Sequence, residues 1–531
     1  MNFFNIIEVT FENEQRSVHV AWRRLILVVL GVSLGLWLSV AAATWIFVTR
    51  FREFPAAKFT DIALPTRWSE YRRAQGDHYI EQAEKFVAKA DYLSAFTKLR
   101  LGVAKSPANS RGRILLAQFY TANRRPDLSE DILLKGLPLL PGDQNYLRNV
   151  LNFLLEYHED AKLSALAREL LRSDTLKADE KRLVAFFAAS AAYFRGYYDQ
   201  AEDLISHYRL SEITEGVLLQ ARLDWERGYR DIALVRLQAH LEHAPDDESV
   251  YVQLGQFYRE QGNLRALEKI SVQRLALNPL SHLPRLEFLY LYDQQHQTAR
   301  LEQEIASYFR NFSREPAALI LLAEFAANTG RPTLAHRVYD HIQAGPQPPE
   351  GPALMVAEAH IVAREYQTAL DLIAAYNRSS PEWSKQFASV LNGLQAVALY
   401  GLHRSDEADL FLQHLLAQQN LRADNLVAVS NRLAAIGARD QARLLLARAV
   451  TADELNQAAL TQLVRLETAD DAIDALPAHL RMLLKMRKPS REILQAARDK
   501  LGSDLNLFLL PQAELLTAIK SALARPVAQK I

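Results

Sequence analysis

The strongest constraint on this chain is a period. Steps of 34 residues carry Pro107 onto Pro141, Gly102 onto Gly136, Ala83 onto Ala117, Gly228 onto Gly262, Pro245 onto Pro279 and Ala408 onto Ala442. Windows opening at Thr214, Glu248, His282, Pro316 and Glu350 follow one another in unbroken phase. In the window from Glu248, Tyr251, Leu254, Gly255 and Tyr258 hold the fourth, seventh, eighth and eleventh places, Gly262 the fifteenth and Pro279 the thirty-second. Small residues recur at the eighth place, as Ala221, Gly255, Ala323 and Ala357. One repeat of this length cannot bury its apolar face alone, so such repeats stack into an array. The chain has 531 residues, too many for one compact core, and only 19 glycines and 20 prolines, which favours helices.

This pattern resembles the tetratricopeptide repeat, a 34-residue pair of antiparallel helices with W-x2-L-G-x2-Y in the first helix, alanines in the second and a closing proline. The resemblance implies an all-α fold: an α-solenoid of about eleven helix-turn-helix repeats, opening near Gly76, Ser110, Gln144, Arg182, Thr214, Glu248, His282, Pro316, Glu350, Ser389 and Ala423. Small residues at the eighth and twentieth places, such as Ala221 with Ala233 and Ala323 with Ala335, let the two helices cross closely. The fifteenth-place glycine takes the left-handed conformation that ends the first helix. The pattern departs from the family in three ways. The fourth-place tryptophan appears nowhere, the repeats at Gln144 and His282 lack the glycine, and the spacing lengthens by four or five residues before Arg182 and Ser389. The expected organisation is a tail over 1–22, a transmembrane helix over 23–50, a linker over 51–75, and the array over 76–344 and 353–453. A proline-rich loop, GPQPPEGP, interrupts the array at 345–352, and capping helices follow over 454–531.

Leu25 to Val48 carries no charge and lies between Arg23-Arg24 and Arg50/Arg52. Its 24 residues reach about 36 Å as a helix, enough to cross a hydrocarbon core of about 30 Å. Trp22 and Trp45 stand near its ends, where indole rings favour the headgroup level. A cleaved signal peptide fits less well, because a charged tail precedes the run and the run is long. Gly31, Gly35, Ser39 and Ala43 recur every fourth residue, so they share one helix face, against which a partner helix or a second copy can pack. The basic residues on the two sides tie. A short tail before a long domain then points to an anchor in the inner (cytoplasmic) membrane with the array periplasmic.

Composition and motifs argue against chemistry. Lys plus Arg and Asp plus Glu each number 62, so no global field pulls the chain toward nucleic acid. There is no cysteine, which removes disulfides and thiolate chemistry, and no phosphate-cradling glycine loop, G-x-S-x-G or H-E-x-x-H. His240, Glu242 and His243 are the nearest approach to a metal site, and their spacing does not converge on one ion. No catalytic residue, cofactor, metal or small-molecule substrate is expected.

Binding is the remaining class. In proteins similar to this one, the second, fifth, ninth and twelfth residues of each first helix face a concave groove. Carried onto this sequence, they give Leu218, Arg222 and Trp225, then Val252, Gln256 and Arg259, then Leu286 and Tyr290. Arginines and aromatic rings there suit a peptide or helix of another protein. A second cluster, Arg481, Lys485, Arg487, Lys488, Arg491, Arg498 and Lys500, reads as a solvated basic face or a contact for an anionic lipid surface or an acidic partner. The resemblance implies a membrane-anchored scaffold, similar to those of bacterial envelope assembly, secretion or polysaccharide export. The alternative is a cytoplasm-facing regulator of a membrane enzyme or an envelope-synthesis pathway.

Overall fold

The computed structural model describes residues 7–12, 15–20, 22–52, 54–173, 176–346, 348–418, 421–454, 456–470, 474–502 and 512–524. The parts of the expected tail and capping region outside these ranges lie beyond the described residues. The chain divides into two compact bodies. One comprises Met1–Glu159 with Arg168–Val184, the other Asp160–Ala167 with Ala185–Ile531.

The tail carries an element the helical reading did not anticipate. Strands β1 (Ile7–Glu12) and β2 (Gln15–Val20) pair antiparallel, with Ile7 opposite Val20 and Glu12 opposite Gln15. Ile7, Val9 and Phe11 alternate with polar residues, the two-residue period of a strand. Helix α1 (Trp22–Arg50) follows. Its stretch Leu25–Arg50 is long and apolar enough to cross a membrane, with a mean hydropathy of 2.5.

The chain then turns back along α1. Helix α2 (Phe59–Ala63) leads into α3 (Trp68–Ala88), which pairs with α4 (Tyr92–Lys105) as the first repeat. The expected linker is therefore part of the fold. Phe54 and Ala57 are buried with Val48 against Tyr71 and Ala74. The indole N–H of Trp45 donates to the Ala57 carbonyl at 2.8 Å, and that of Trp37 to Ala63 at 2.7 Å. First helices then open at Ser110, Gln144, Ala178, Thr214, Glu248, His282, Pro316, Glu350, Ala388 and Ala423.

One backbone torsion marks the phase of every repeat. The fifteenth-place residue has positive φ in all eleven: glycine at 196, 228, 262, 330 and 437, but Ala90, Arg124, His158, His296, Arg364 and His403 elsewhere. The left-handed residue closes the first helix through the same hydrogen bonds whatever its side chain, as with His158 N–H to Leu155 O at 3.3 Å. The helix crossing follows the small-residue rule where it can. Ala221 and Ala233, Ala357 and Ala369, and Ala396 and Ala408 are all fully buried pairs. The repeat at His282 places Leu289 and Leu301 in one buried cluster instead, and the eighth place of the repeat at Gln144, Leu151, is equally buried. Two serines substitute by capturing a carbonyl: Ser129 Oγ donates to Ala117 O at 2.7 Å and Ser430 Oγ to Ala442 O at 3.0 Å.

Two boundaries shift. Glu350, Gly351 and Pro352 form the first turn of a helix rather than loop, a position where proline costs no hydrogen bond. Beyond 453 the period continues for one more step: a helix opens at Gln457, 34 residues after Ala423, and is followed by Leu476–Lys485, Arg491–Leu501 and Gln512–Ala524.

Within the second body the segment between the helices Leu476–Lys485 and Arg491–Leu501 meets Asp160, Phe194 and Tyr198. The Arg487 guanidinium meets the Asp160 carboxylate through Nε at 3.1 Å and Nη2 at 3.2 Å, and lies 3.9 Å from the centre of the Phe194 ring. The Lys488 N–H donates to Phe194 O at 2.7 Å, and its ammonium donates to the Tyr198 hydroxyl at 3.0 Å. Arg491 donates to Leu523 O, and Arg498 pairs with Asp499. The basic cluster of the sequence is thus not one solvated face, because its central residues join distant parts of the array.

Candidate functional site

The expected groove residues lie on three consecutive first helices, Thr214–Glu226, Glu248–Glu260 and His282–Gln294. They separate into two groups. Trp225 is only 7% exposed, with its ring stacked on Phe257 at 4.0 Å and 3° between planes. Its Nε1–H donates to Glu260 at 2.7 Å. Leu218 is buried in the same cluster. Arg222 is half-buried and donates to Gln253 Oε1 at 2.5 Å. The expectation that Leu218, Arg222 and Trp225 present a recognition surface is corrected. Leu218 and Trp225 fill the space between neighbouring repeats, and Arg222 is committed to a buried amide.

The second group stays accessible. Val252 is 44% exposed and Tyr290 40%, while Gln256 and Arg259 are exposed and Leu286 is half-buried. Val252 and Leu286 hold the fifth place of adjacent repeats, and Gln256 and Tyr290 the ninth, so register sets them side by side. Tyr290 stands edge-on to Phe325, with ring centres 4.9 Å apart. Gln256 donates to Glu260 at 3.0 Å, while Arg259 has no carboxylate partner among the described residues. The face thus combines apolar side chains with an uncompensated cation.

Neighbouring positions are closed or turned inward. Tyr193 is half-buried, and desolvation followed by the nearby Glu226 carboxylate pushes its hydroxyl pKa up, so it stays protonated. Farther along, Arg432 donates to Glu358 at 2.7 Å and to Asn328 at 3.3 Å. Glu358 holds the ninth place of its repeat, so the inner positions there are occupied by the chain's own side chains. Sequence reading missed this ion pair, since nothing local in Arg432 points to a residue 74 positions away.

His240 contacts Asp247 at 3.3 Å and Thr214 at 3.4 Å, and a ring nitrogen of His243 donates to Ala239 O at 3.0 Å. Burial raises the Asp247 carboxyl, and hydrogen bonds from Ser249, Thr214 and His240 more than offset it, leaving it below the usual carboxylate range. The pair therefore ties one repeat to the next. Among the described residues no group of three or more His, Asp or Glu side chains is placed to hold a metal. In helix α1, Gly31 and Gly35 have open space where a Cβ would stand, and Ser39 and Ala43 are exposed. On the other side of the helix, Ala41 and Val48 are the residues covered by the returning chain.

The chain matches no family model and none of the curated proteins. Among solved structures it is similar to the Cut9–Hcn1 hetero-tetramer of the APC/C, with 13% identity and a TM-score of 0.26, over 80% of this chain and 96% of that one. It is also similar to a tetratricopeptide repeat protein from Parabacteroides merdae, with 14% identity and a TM-score of 0.30, over 48% and 97%. Naa15/Naa10 bound to HypK-THB gives 13% identity and a TM-score of 0.27, over 91% and 75%. Superpositions at these scores decide nothing by themselves. Paired helices of 34-residue period, small eighth and twentieth places and a left-handed fifteenth place give this chain the tetratricopeptide-repeat fold.

Proposed function

We propose that this protein is a membrane-anchored scaffold that holds a partner protein on the repeats opening at Glu248 and His282. The observation that carries the reading is the accessible set Val252, Gln256, Arg259, Leu286 and Tyr290. An extended peptide or helix with apolar side chains and a carboxylate fits it, with Arg259 meeting the charge. The closed inner positions around Glu358 support placing the contact on these middle repeats. Arg259→Glu with Tyr290→Ala, introduced in the full chain, removes partner recovery after crosslinking in membranes. Unchanged recovery with the helical signal intact removes this face from consideration.

The apolar helix Leu25–Arg50 supports an inner-membrane anchor, with the array on the exported side and a role in envelope assembly, secretion or polysaccharide export. Its open small-residue face gives a second helix, or a second copy of the chain, room for close approach. Protease treatment of intact spheroplasts checks the side. Digestion of the array supports export, and protection until lysis supports the cytoplasm-facing regulator instead.

A further inference from the structure

A cleft of about 470 Å³ opens between α1 and the start of the first repeat. Trp37, Ala41 and Thr44 line one side and Trp68 another, and Tyr71, Arg72, Gln75 and Lys105 also border it. The walls are fixed from inside. Trp37 is held by its hydrogen bond to Ala63 O, Trp68 by its own to Ile62 O at 3.0 Å, and the two indoles lie 6.0 Å apart. Neither Arg72 nor Lys105 has a carboxylate partner among the described residues.

Depth decides what meets such a cleft. About 20 helical residues cross a hydrocarbon core, so a span entered at Leu25 leaves it near Thr44. Trp37 to Thr44 then occupy the half of the bilayer next to the array. A cleft open at that level faces acyl chains rather than water, and long cationic side chains beside it extend to the headgroup layer. Its size falls in the range of ordinary ligand clefts, about 300–1,000 Å³.

We propose that this cleft binds one anionic phospholipid of the bilayer, an acyl chain lying between Trp37 and Trp68 and the phosphate meeting Arg72 and Lys105. The inference rests on the reading of α1 as membrane-crossing. The bound lipid would seal the angle between the anchor and the array.

The test is native mass spectrometry of the full chain in detergent, titrated with dioleoylphosphatidylglycerol or dioleoylphosphatidylcholine, with carbonate extraction of the same membranes in parallel. The expected result is one phosphatidylglycerol retained at least about tenfold more tightly than phosphatidylcholine. Arg72→Gln with Lys105→Gln removes that preference, and Thr44→Trp, which fills the cleft without changing charge, removes both lipids. Free glycerol phosphate added in excess leaves the complex in place. Equal retention of the two lipids, or a preference that survives the double variant, overturns the proposal while a carbonate-resistant chain keeps the membrane reading. Release of the chain by carbonate overturns both.

Discussion

Arg487→Met is the most informative single change in the array. It keeps an unbranched side chain but removes the guanidinium from the Phe194 ring and from Asp160, which is 3% exposed and sits in the first turn of the helix Asp160–Arg172. Removing one partner of a buried pair costs about 3–5 kcal/mol, because the other charge stays desolvated. Two features reduce this figure here. The Arg487 side chain is 16% exposed, so water shares its charge, and a carboxylate at a helix N-terminus gains about 0.5 kcal/mol from the helix. The contact should therefore open more easily by about 2–3 kcal/mol, which at 1.36 kcal/mol per decade is about 30- to 150-fold. The Lys488 amide, donated to Phe194 O, reports the opening directly. Hydrogen exchange of the full chain in detergent should show that acceleration in peptides covering Lys488, with little change around Leu319 and Leu322. Adding Asp160→Leu should restore protection, since an apolar replacement of both charges is tolerated. Acceleration below about threefold, or equal acceleration along the whole chain, refutes the reasoning.

Three further outcomes follow from particular residues. Ala90 is exposed at φ 59°, so Ala90→Gly should stabilise the first repeat by about 0.5–1 kcal/mol, read as a later urea midpoint; a loss of stability would contradict the left-handed assignment. A Cβ on Gly216 would run into the Leu210 carbonyl, so Gly216→Ala should destabilise by more than about 2 kcal/mol, and a melting temperature like the parent's would count against the packing described. His336 is held below its usual pKa, first by burial and then by His360, whose Nε2 lies 3.1 Å away, while Glu365 binds the other side of His360 and Asp340 opposes the shift. The unfolded chain thus takes up the His336 proton first. The stability that this neutral histidine carries is complete above about pH 6.5 and is lost as pH falls from there through the folded value. Melting between pH 7.5 and 5.5 should show a shallower decline for His336→Gln than for the parent, and equal declines would remove His336 as the cause.

The repeat was legible because its anchors are local. Ala221 and Ala233 stand twelve residues apart, and the turn between them is set by Gly228 within the same hairpin. Phase alone located the repeats at Gln144 and His282, where leucines replace the alanines and histidines take the left-handed turn. The groove was only half legible. A helical position says which way a side chain leaves its own helix, but not whether the next repeat supplies a ring to cover it, and Phe257 does so for Trp225. The hairpin had its alternating signal at Ile7, Val9 and Phe11, set in a chain whose other periods are helical. The contacts of Arg487 and Arg432 have no local signal at all. They depend on rotation accumulated over many stacked repeats, a quantity that no single repeat encodes.

The return of Arg487 and Lys488 to Asp160, Phe194 and Tyr198 changes the mechanics of the second body. An open solenoid is a spring: it frays from a free end, and its pitch lengthens or shortens to suit what it grips. Fastening the later coil to the earlier one removes that degree of freedom. If the proposed partner contact is right, the spacing between Val252 and Tyr290 is set before the partner arrives, so little ordering entropy would be lost on binding, and ligands of the wrong length would be excluded by geometry rather than by chemistry.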